Sequence, residues 1–109
     1  MENEYIARIK AALEDKKAND IKILDISELT TVADFMVIAD ASNTNQLDAL
    51  IDAVYDELAK DKVFPKMREG DKDCGWVLLD YRDIIVQLFI TEMRSHYDLE
   101  RIWRDGKEI

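Results

Sequence analysis

Four small groupings in this sequence hold residue types that can do chemistry. In "GDKDCG" (Gly70 to Gly75), Asp71 and Asp73 stand one residue apart, like the opening of a calcium loop whose alternate carboxylates converge on a hard cation. The glycine such a loop requires falls on Trp76, and no Glu closes it, so a solvated loop is the stronger reading. Asp80 and Asp83 flank a short polar break and have the types for metal binding or acid–base work. Aspartate is also an ordinary turn residue, because its carboxylate bonds the local backbone, and that reading outweighs the first. Cys74 and His96 are the one thiol–imidazole combination available. Neighbouring Asp73 raises the thiol pKa, the wrong direction for a nucleophile, and His96 reads as a surface residue of a short helix. Ser42 and Thr44 lie where a strand feeds a helix, a place that can hold an anion, but no glycine loop accompanies them and helix capping accounts for them better. No catalytic, metal-binding or cofactor-binding residue is expected.

"GWVLLDYRDIIVQLF" (Gly75 to Phe89) reads differently. Two runs of strand formers, Trp76 to Leu79 and Ile84 to Phe89, flank "DYRD", the pattern of a hairpin. Strand alternation sends Trp76, Leu78 and Asp80 to one face and Val77, Leu79 and Tyr81 to the other. Both sets cannot be core. Asp80 on the face of Trp76 suggests that this face meets solvent, leaving an aromatic and a leucine beside acidic groups, which is how binding hot spots are composed. The competing reading packs Trp76 under the last helix.

The elements that must position this hairpin follow from hydrophobic spacing. Tyr5, Ile6, Ile9, Ala12 and Leu13 recur at helical intervals and predict an amphipathic helix from Asn3 to Lys16. "DIKILDIS" predicts a strand with Ile21 and Ile23 on one face and Leu24 and Ile26 on the other. "ADFMVIA" (Ala33 to Ala39) is nearly continuous in apolar residues, as a strand buried on both faces should be. Asn43 then caps a second helix with Gln46 at the capping-box position, and Leu47, Leu50, Ile51, Val54 and Leu58 mark its buried face to about Asp61. "KVFPKMREGDKD" leaves room for a short edge strand and a mobile, acidic loop. After the hairpin, Thr91 caps a last helix through "EMRSHYDL". This order implies an α/β (α+β) fold with helices covering a mixed sheet.

Composition sets the partner class. The 109 residues make one domain, residues 1–109, without repeats or linkers, and 48% hydrophobic content suffices for one core. Fifteen Lys and Arg against 24 Asp and Glu give a net charge of −9. Such a surface repels phosphates and attracts basic partners, so direct nucleic-acid binding is not expected. One cysteine excludes an intrachain disulfide and a Cys-rich metal knuckle. The acidic, helix-patterned N-terminus resembles neither a secretory signal nor a transit peptide, and no apolar run approaches membrane-spanning length; a soluble, cytoplasmic protein is expected.

Three segments in this order and spacing, "TTVADFMVIADASNTNQLDAL", "GWVLLDYRDIIVQLF" and "RSHYDLERIW", resemble the ribosomal silencing factor (Iojap-like) family across nearly the whole chain. The resemblance implies a nucleotidyltransferase-like α/β fold without its chemistry. It also implies a non-enzymatic factor that docks on the large ribosomal subunit through ribosomal protein uL-fourteen and blocks joining of the small subunit. The family pattern W-x-x-x-D-x-G-D falls on Trp76, Asp80 and Asp83, with Tyr81 beside the turn; Y-x-L-E-x-L-W falls on Tyr97, Leu99, Glu100 and Trp103. This chain has Arg82 for the usual turn glycine, Gln87 for the usual second-strand histidine, and "ASNTNQ" for the usual Gly-Thr-Ser-x-Arg-Gln.

Charge and resemblance agree on a basic protein surface as partner, with Trp76 as anchor, Leu78 and Tyr81 as its apolar neighbours, and Asp80 and Asp83 pairing with Lys or Arg at an exposed tip. A magnesium-dependent nucleotidyl transfer needs a Gly-Ser turn and two strand carboxylates one residue apart. The chain has no Gly-Ser, and its one Asp-x-Asp, Asp71 and Asp73, precedes the hairpin. A homodimer with a self-complementary aromatic patch is the remaining alternative.

Overall fold

Apolar residues three and four apart bury one stripe of a helix, and here they bury two helices against the same side of one sheet. The computed structural model describes residues 4–29, 31, 33–93 and 107–108. Helix α1 (Glu4–Asp15) buries Ile6, Ile9 and Leu13, and α2 (Thr44–Ala59) buries Leu47, Leu50, Ile51, Val54 and Leu58. Both end the same way. Ala18 N–H donates to Leu13 O and Lys17 N–H to Glu14 O after α1; Val63 N–H donates to Leu58 O and Lys62 N–H to Ala59 O after α2. Lys17 and Lys62 take the left-handed conformation, φ 64° and 61°, that this double bond requires and that glycine usually fills.

The sheet has six strands in the order β3-β4-β5-β2-β1-β6: β1 (Asn19–Asp25), β2 (Phe35–Ala41), β3 (Met67–Asp71), β4 (Trp76–Asp80), β5 (Ile84–Ile90) and β6 (Lys107–Glu108). Only β2 and β5 run parallel, and the other pairs are antiparallel. The sheet is therefore mixed and the fold α+β. The helix-side core gathers Ile23, Val37, Val77, Leu79, Val86 and Leu88, while the opposite face gathers Leu24, Ile26, Met36, Ile38, Ile85 and Phe89. The alternation expected for "DIKILDIS" holds, with Ile21 packed on the helix side.

Three expectations change. Gln46 does not close a capping box on Asn43: Asn43 Oδ1 accepts from Gln46 N–H (2.8 Å), but Gln46 Oε1 accepts from Ser42 N–H (2.7 Å), one residue earlier. Its Nε2 donates to the carbonyls of Lys16 and Lys17 (3.2 and 2.9 Å), so one side chain fastens the end of α1 to the start of α2. Thr91 does not cap with its hydroxyl, which lies 3.1 Å from Ala41 O and 3.2 Å from Asp40 Oδ1; the expected helix beyond residue 93 lies outside the described residues. "KVFPKMREGDKD" has four basic and three acidic residues, net +1, and is not acidic. It forms a wholly exposed edge strand, β3, and a 3-10 turn at Lys72–Cys74. Gly70 makes that strand possible at φ 79°, since a Cβ there would collide with the Trp76 carbonyl.

Two details of the turn between β4 and β5 leave free energy unrecovered. Arg82 holds φ 77°, in the region that costs a side-chain-bearing residue roughly 1–2 kcal/mol. Tyr81 is 8% exposed, and its hydroxyl is buried without a hydrogen-bond partner among the described residues. Burial pushes this phenol up to about 12, with a smaller contribution from Tyr55. Arg82→Gly should therefore raise stability, by about 0.5–1 kcal/mol after the greater entropy of an unfolded glycine is counted. Tyr81→Phe should raise it by about 1 kcal/mol, because it removes an unpaired buried hydroxyl. Denaturant unfolding of both variants checks this; a lower midpoint for either contradicts its reading.

The other end of the helix pair is held by charge. Arg8 Nε and Nη1 reach Glu57 Oε2 (2.9 Å) and Asp61 Oδ2 (2.6 Å), Arg8 Nη2 donates to Glu57 O, and Tyr5 OH donates to Asp61 Oδ2. Arg8 holds the Asp61 carboxyl below its ordinary 3.8, with Tyr5 adding to the effect; Lys60, then Arg8, lower Glu57. A carboxyl depressed in the folded state adds stability above its unfolded pKa and loses it as pH falls through the folded value. Arg8→Leu should lower Tm at neutral pH, and its gap from wild type should close as pH drops below about 4. Melting curves across pH test this, and a gap independent of pH would assign Arg8 to packing alone.

Candidate functional site

Strand β4 carries the candidate residues, and its alternation is as expected: Trp76, Leu78 and Asp80 are half-buried on one face while Val77 and Leu79 are buried on the other. Trp76 leans on the second core face and donates from Nε1 to Gln87 Oε1 (3.0 Å). Gln87 is 6% exposed and its Nε2 lies 3.7 Å from Met36 Sδ, so the residue in place of the usual histidine orients the indole. Trp76 is thus part core and part surface, and neither simple reading covers it.

The expected cluster at one tip does not form. Trp76 pairs with Phe89 at the open end of the hairpin, four residues or about 13 Å along the strand from Asp80, which pairs with Ile85 beside the turn. Tyr81 belongs to the helix-side core, across the sheet from Trp76 and Leu78. The hairpin reading already sets Trp76 at the end of its strand away from the turn, and the expected tip overlooks the length of that strand.

What joins Trp76 and Leu78 instead is β3. Directly paired residues of antiparallel strands project to the same side. The register sets Met67 opposite Asp80, Glu69 opposite Leu78 and Asp71 opposite Trp76. The result is a stripe of Met67, Leu78 and Trp76 interleaved with acidic residues. Met67 is 44% exposed. Sequence reasoning missed Met67 and Glu69, whose alternation in "KMREGD" was the one signal available.

The carboxylates divide by occupancy. Asp80 Oδ1 accepts from Arg82 N–H (2.8 Å), the turn role that its residue type suggested. Asp71 Oδ1 accepts from Cys74 N–H (2.9 Å) and caps the 3-10 turn, which lowers its own pKa. Asp71, chiefly, raises the exposed Cys74 thiol; Asp73, named from the sequence, is the least of the causes. Asp83 is exposed, and its side chain has no hydrogen bond or ion pair among the described residues, although its carbonyl accepts from Asp34 and Phe35 N–H. Ser42 Oγ accepts from Asn19 Nδ2 (3.2 Å), in keeping with a structural role. His96, Tyr97, Leu99, Glu100 and Trp103 lie outside the described residues. Among the described residues no group of three or more His, Cys, Asp or Glu could hold a metal ion, and no helix is long and apolar enough to cross a membrane.

Comparison with known proteins identifies this architecture. The family model described as "Ribosomal silencing factor during starvation" matches residues 2–109. The chain is 34% identical to a ribosomal silencing factor of Bacillus subtilis over 107 residues, 97% of this chain and 91% of that protein. It is 31% identical over 106 residues to the chloroplastic protein Iojap of Arabidopsis thaliana, covering 96% of this chain and 44% of that longer protein. A crystal structure of a protein from Chromobacterium violaceum superposes with a TM-score of 0.90 at 34% identity, over 100% of this chain and 91% of that one. A second, from Bacillus halodurans, gives 0.82 at 27% identity over 92% and 93%. The chain belongs to the ribosomal silencing factor family.

Proposed function

We propose that this protein docks on the large ribosomal subunit through ribosomal protein uL-fourteen and, by occupying that surface, keeps the small subunit from joining. It acts as a translational repressor by steric exclusion, without catalysis. Family membership supplies the ribosome as the setting, and the observation that carries the docking surface is the stripe of Met67, Leu78 and Trp76 among carboxylates on a chain of net charge −9. Apolar groups rimmed by acids suit a basic protein face: the apolar centre excludes water while the rim steers encounter and sets register. Asp83 offers an exposed carboxylate with no hydrogen bond or ion pair among the described residues. Tyr81 enters this reading as a support for the turn, not as a neighbour of Trp76.

Co-sedimentation with purified subunits is the direct experiment. The protein should pellet with large and not small subunits, and binding should weaken from low to high salt, because exposed charge pairs are screened. Met67→Glu is the cleanest variant, since the side chain is exposed and its loss leaves the core alone. It should weaken binding by about 1–2 kcal/mol, near tenfold, with Tm unchanged. Trp76→Ala should lower both binding and stability, because it also strands Gln87 Oε1 in a buried site. Full binding and full inhibition of subunit joining by Met67→Glu would remove the stripe from the docking surface. Sedimentation of the protein alone reports whether it self-associates.

A further inference from the structure

We propose that a small cavity on the helix side of the β4–β5 turn is a socket for one basic side chain, a lysine or an arginine, of the docking partner. This inference rests on the docking reading above and adds to it a second point of attachment, across the sheet from the stripe. The cavity, of about 170 Å³, lies where α1, the end of α2 and the turn converge, and is lined by Tyr5, Leu58, Val63, Tyr81, Asp83 and Ile84. It is smaller than the roughly 300–1,000 Å³ of pockets that take whole small molecules, and suits a single side chain.

The lining says which kind. Leu58, Val63, Ile84 and the Tyr5 and Tyr81 rings give the cavity wall apolar and aromatic surface beside a somewhat larger polar share, a mixture that suits a long side chain with a hydrocarbon stem and a polar head. Asp83 is the one carboxylate among the lining residues, and its side chain has no hydrogen bond or ion pair among the described residues. Nearby acids are already engaged: Asp61 by Arg8 and Tyr5, Glu57 by Arg8 and Lys60, Asp80 by the Arg82 backbone. An acidic occupant is repelled there, and a purely apolar one leaves Asp83 unanswered while costing it hydration. A lysine or arginine satisfies both parts, its stem on the wall and its head on Asp83, while the Tyr5 ring is already faced by Arg8, 5.3 Å from its centroid.

The test has two arms. In the first, the isolated protein with labelled methyls is titrated with N-acetyl-arginine amide, N-acetyl-lysine amide and N-acetyl-norleucine amide. Shifts at Leu58, Val63 and Ile84 are expected with the two basic probes, smaller ones with norleucine, and loss of the basic-probe shifts in Asp83→Asn. Equal response to norleucine, an unaltered response in Asp83→Asn, or no response at all overturns the socket. In the second arm, large-subunit binding is measured for Val63→Phe, which fills the cavity, and for Asp83→Asn and Asp83→Lys, which change only its mouth. Roughly tenfold weaker binding is expected for Val63→Phe and Asp83→Asn, and none detectable for Asp83→Lys. If Val63→Phe does not fold, the two exposed Asp83 substitutions still decide. Wild-type binding by all the folded variants refutes the socket and spares the docking reading, whereas a wild-type protein that does not bind large subunits refutes docking, whatever the first arm finds.

Discussion

The parallel pairing of β2 and β5 is the constraint on which the rest of the molecule depends. Seven residues of each strand pair in uninterrupted register, from Phe35 with Ile84 to Ala41 with Ile90, and nearly all of them are buried. Parallel neighbours cannot be joined by a tight turn, so the chain must leave the sheet between them. It uses that excursion for α2, the edge strand and β4. The remaining strands add antiparallel on either side, and α1 packs on α2. Since β5 is clamped by its parallel partner, the hairpin to β4 is held at a fixed height and tilt. Any surface built on β4 is therefore rigid, as a site that must match a partner without reorganising requires.

Much of this was legible in the sequence because burial writes itself as periodicity. Leu47, Leu50, Ile51, Val54 and Leu58 predicted α2 and its buried face, and the unbroken "FMVI" predicted a strand covered on both sides. What was not legible depends on partners far away in the chain. Gln46 looked like a local capping residue, and its second role, holding the carbonyls of Lys16 and Lys17 some thirty positions back, has no local signature. Strand β6 has two residues, Lys107 and Glu108, whose types carry no strand signal, and only the edge of β1 makes them one. The candidate site was half legible for the same reason. Alternation separated Trp76 from Val77 correctly, but the union of Trp76 and Leu78 with Met67 is a matter of register, which exposed residues specify weakly.

Charge in this protein is best understood by asking which carboxylates are spent. A net charge of −9 on a small domain opposes compaction, and the fold absorbs part of it where it is useful. Arg8 gathers Glu57 and Asp61 to fix the helix pair, and Asp71 and Asp80 shape turns by taking backbone N–H groups. Glu57 and Asp61 are neutralised by their cationic partners, whereas Asp71 and Asp80 take only backbone N–H groups and keep their charge beside the stripe. Asp83 differs because its backbone, not its side chain, does the structural work: its carbonyl accepts from Asp34 and Phe35 and ties the turn to β2. The side chain is left in solvent on a backbone that is held in place.

This division bears on how the turn came to carry strain. Arg82 sits in a conformation that a glycine would adopt without cost, and Tyr81 buries a hydroxyl that a phenylalanine would not. Both flaws lie between Asp80 and Asp83, the stretch that sets Asp83 among the residues lining the cavity. The Arg82 backbone N–H held by Asp80, and the Tyr81 N–H held by Ile84 O, over-determine that conformation despite the cost. A turn with an unstrained residue at position 82 would be more stable and also freer in the unfolded chain, so the positive φ is not itself a device for stability. Its consequence is positional: the chain reverses within three residues, returns directly to β5 in register with β2, and leaves Asp83 at the cavity mouth, beside the wall that Tyr81 completes.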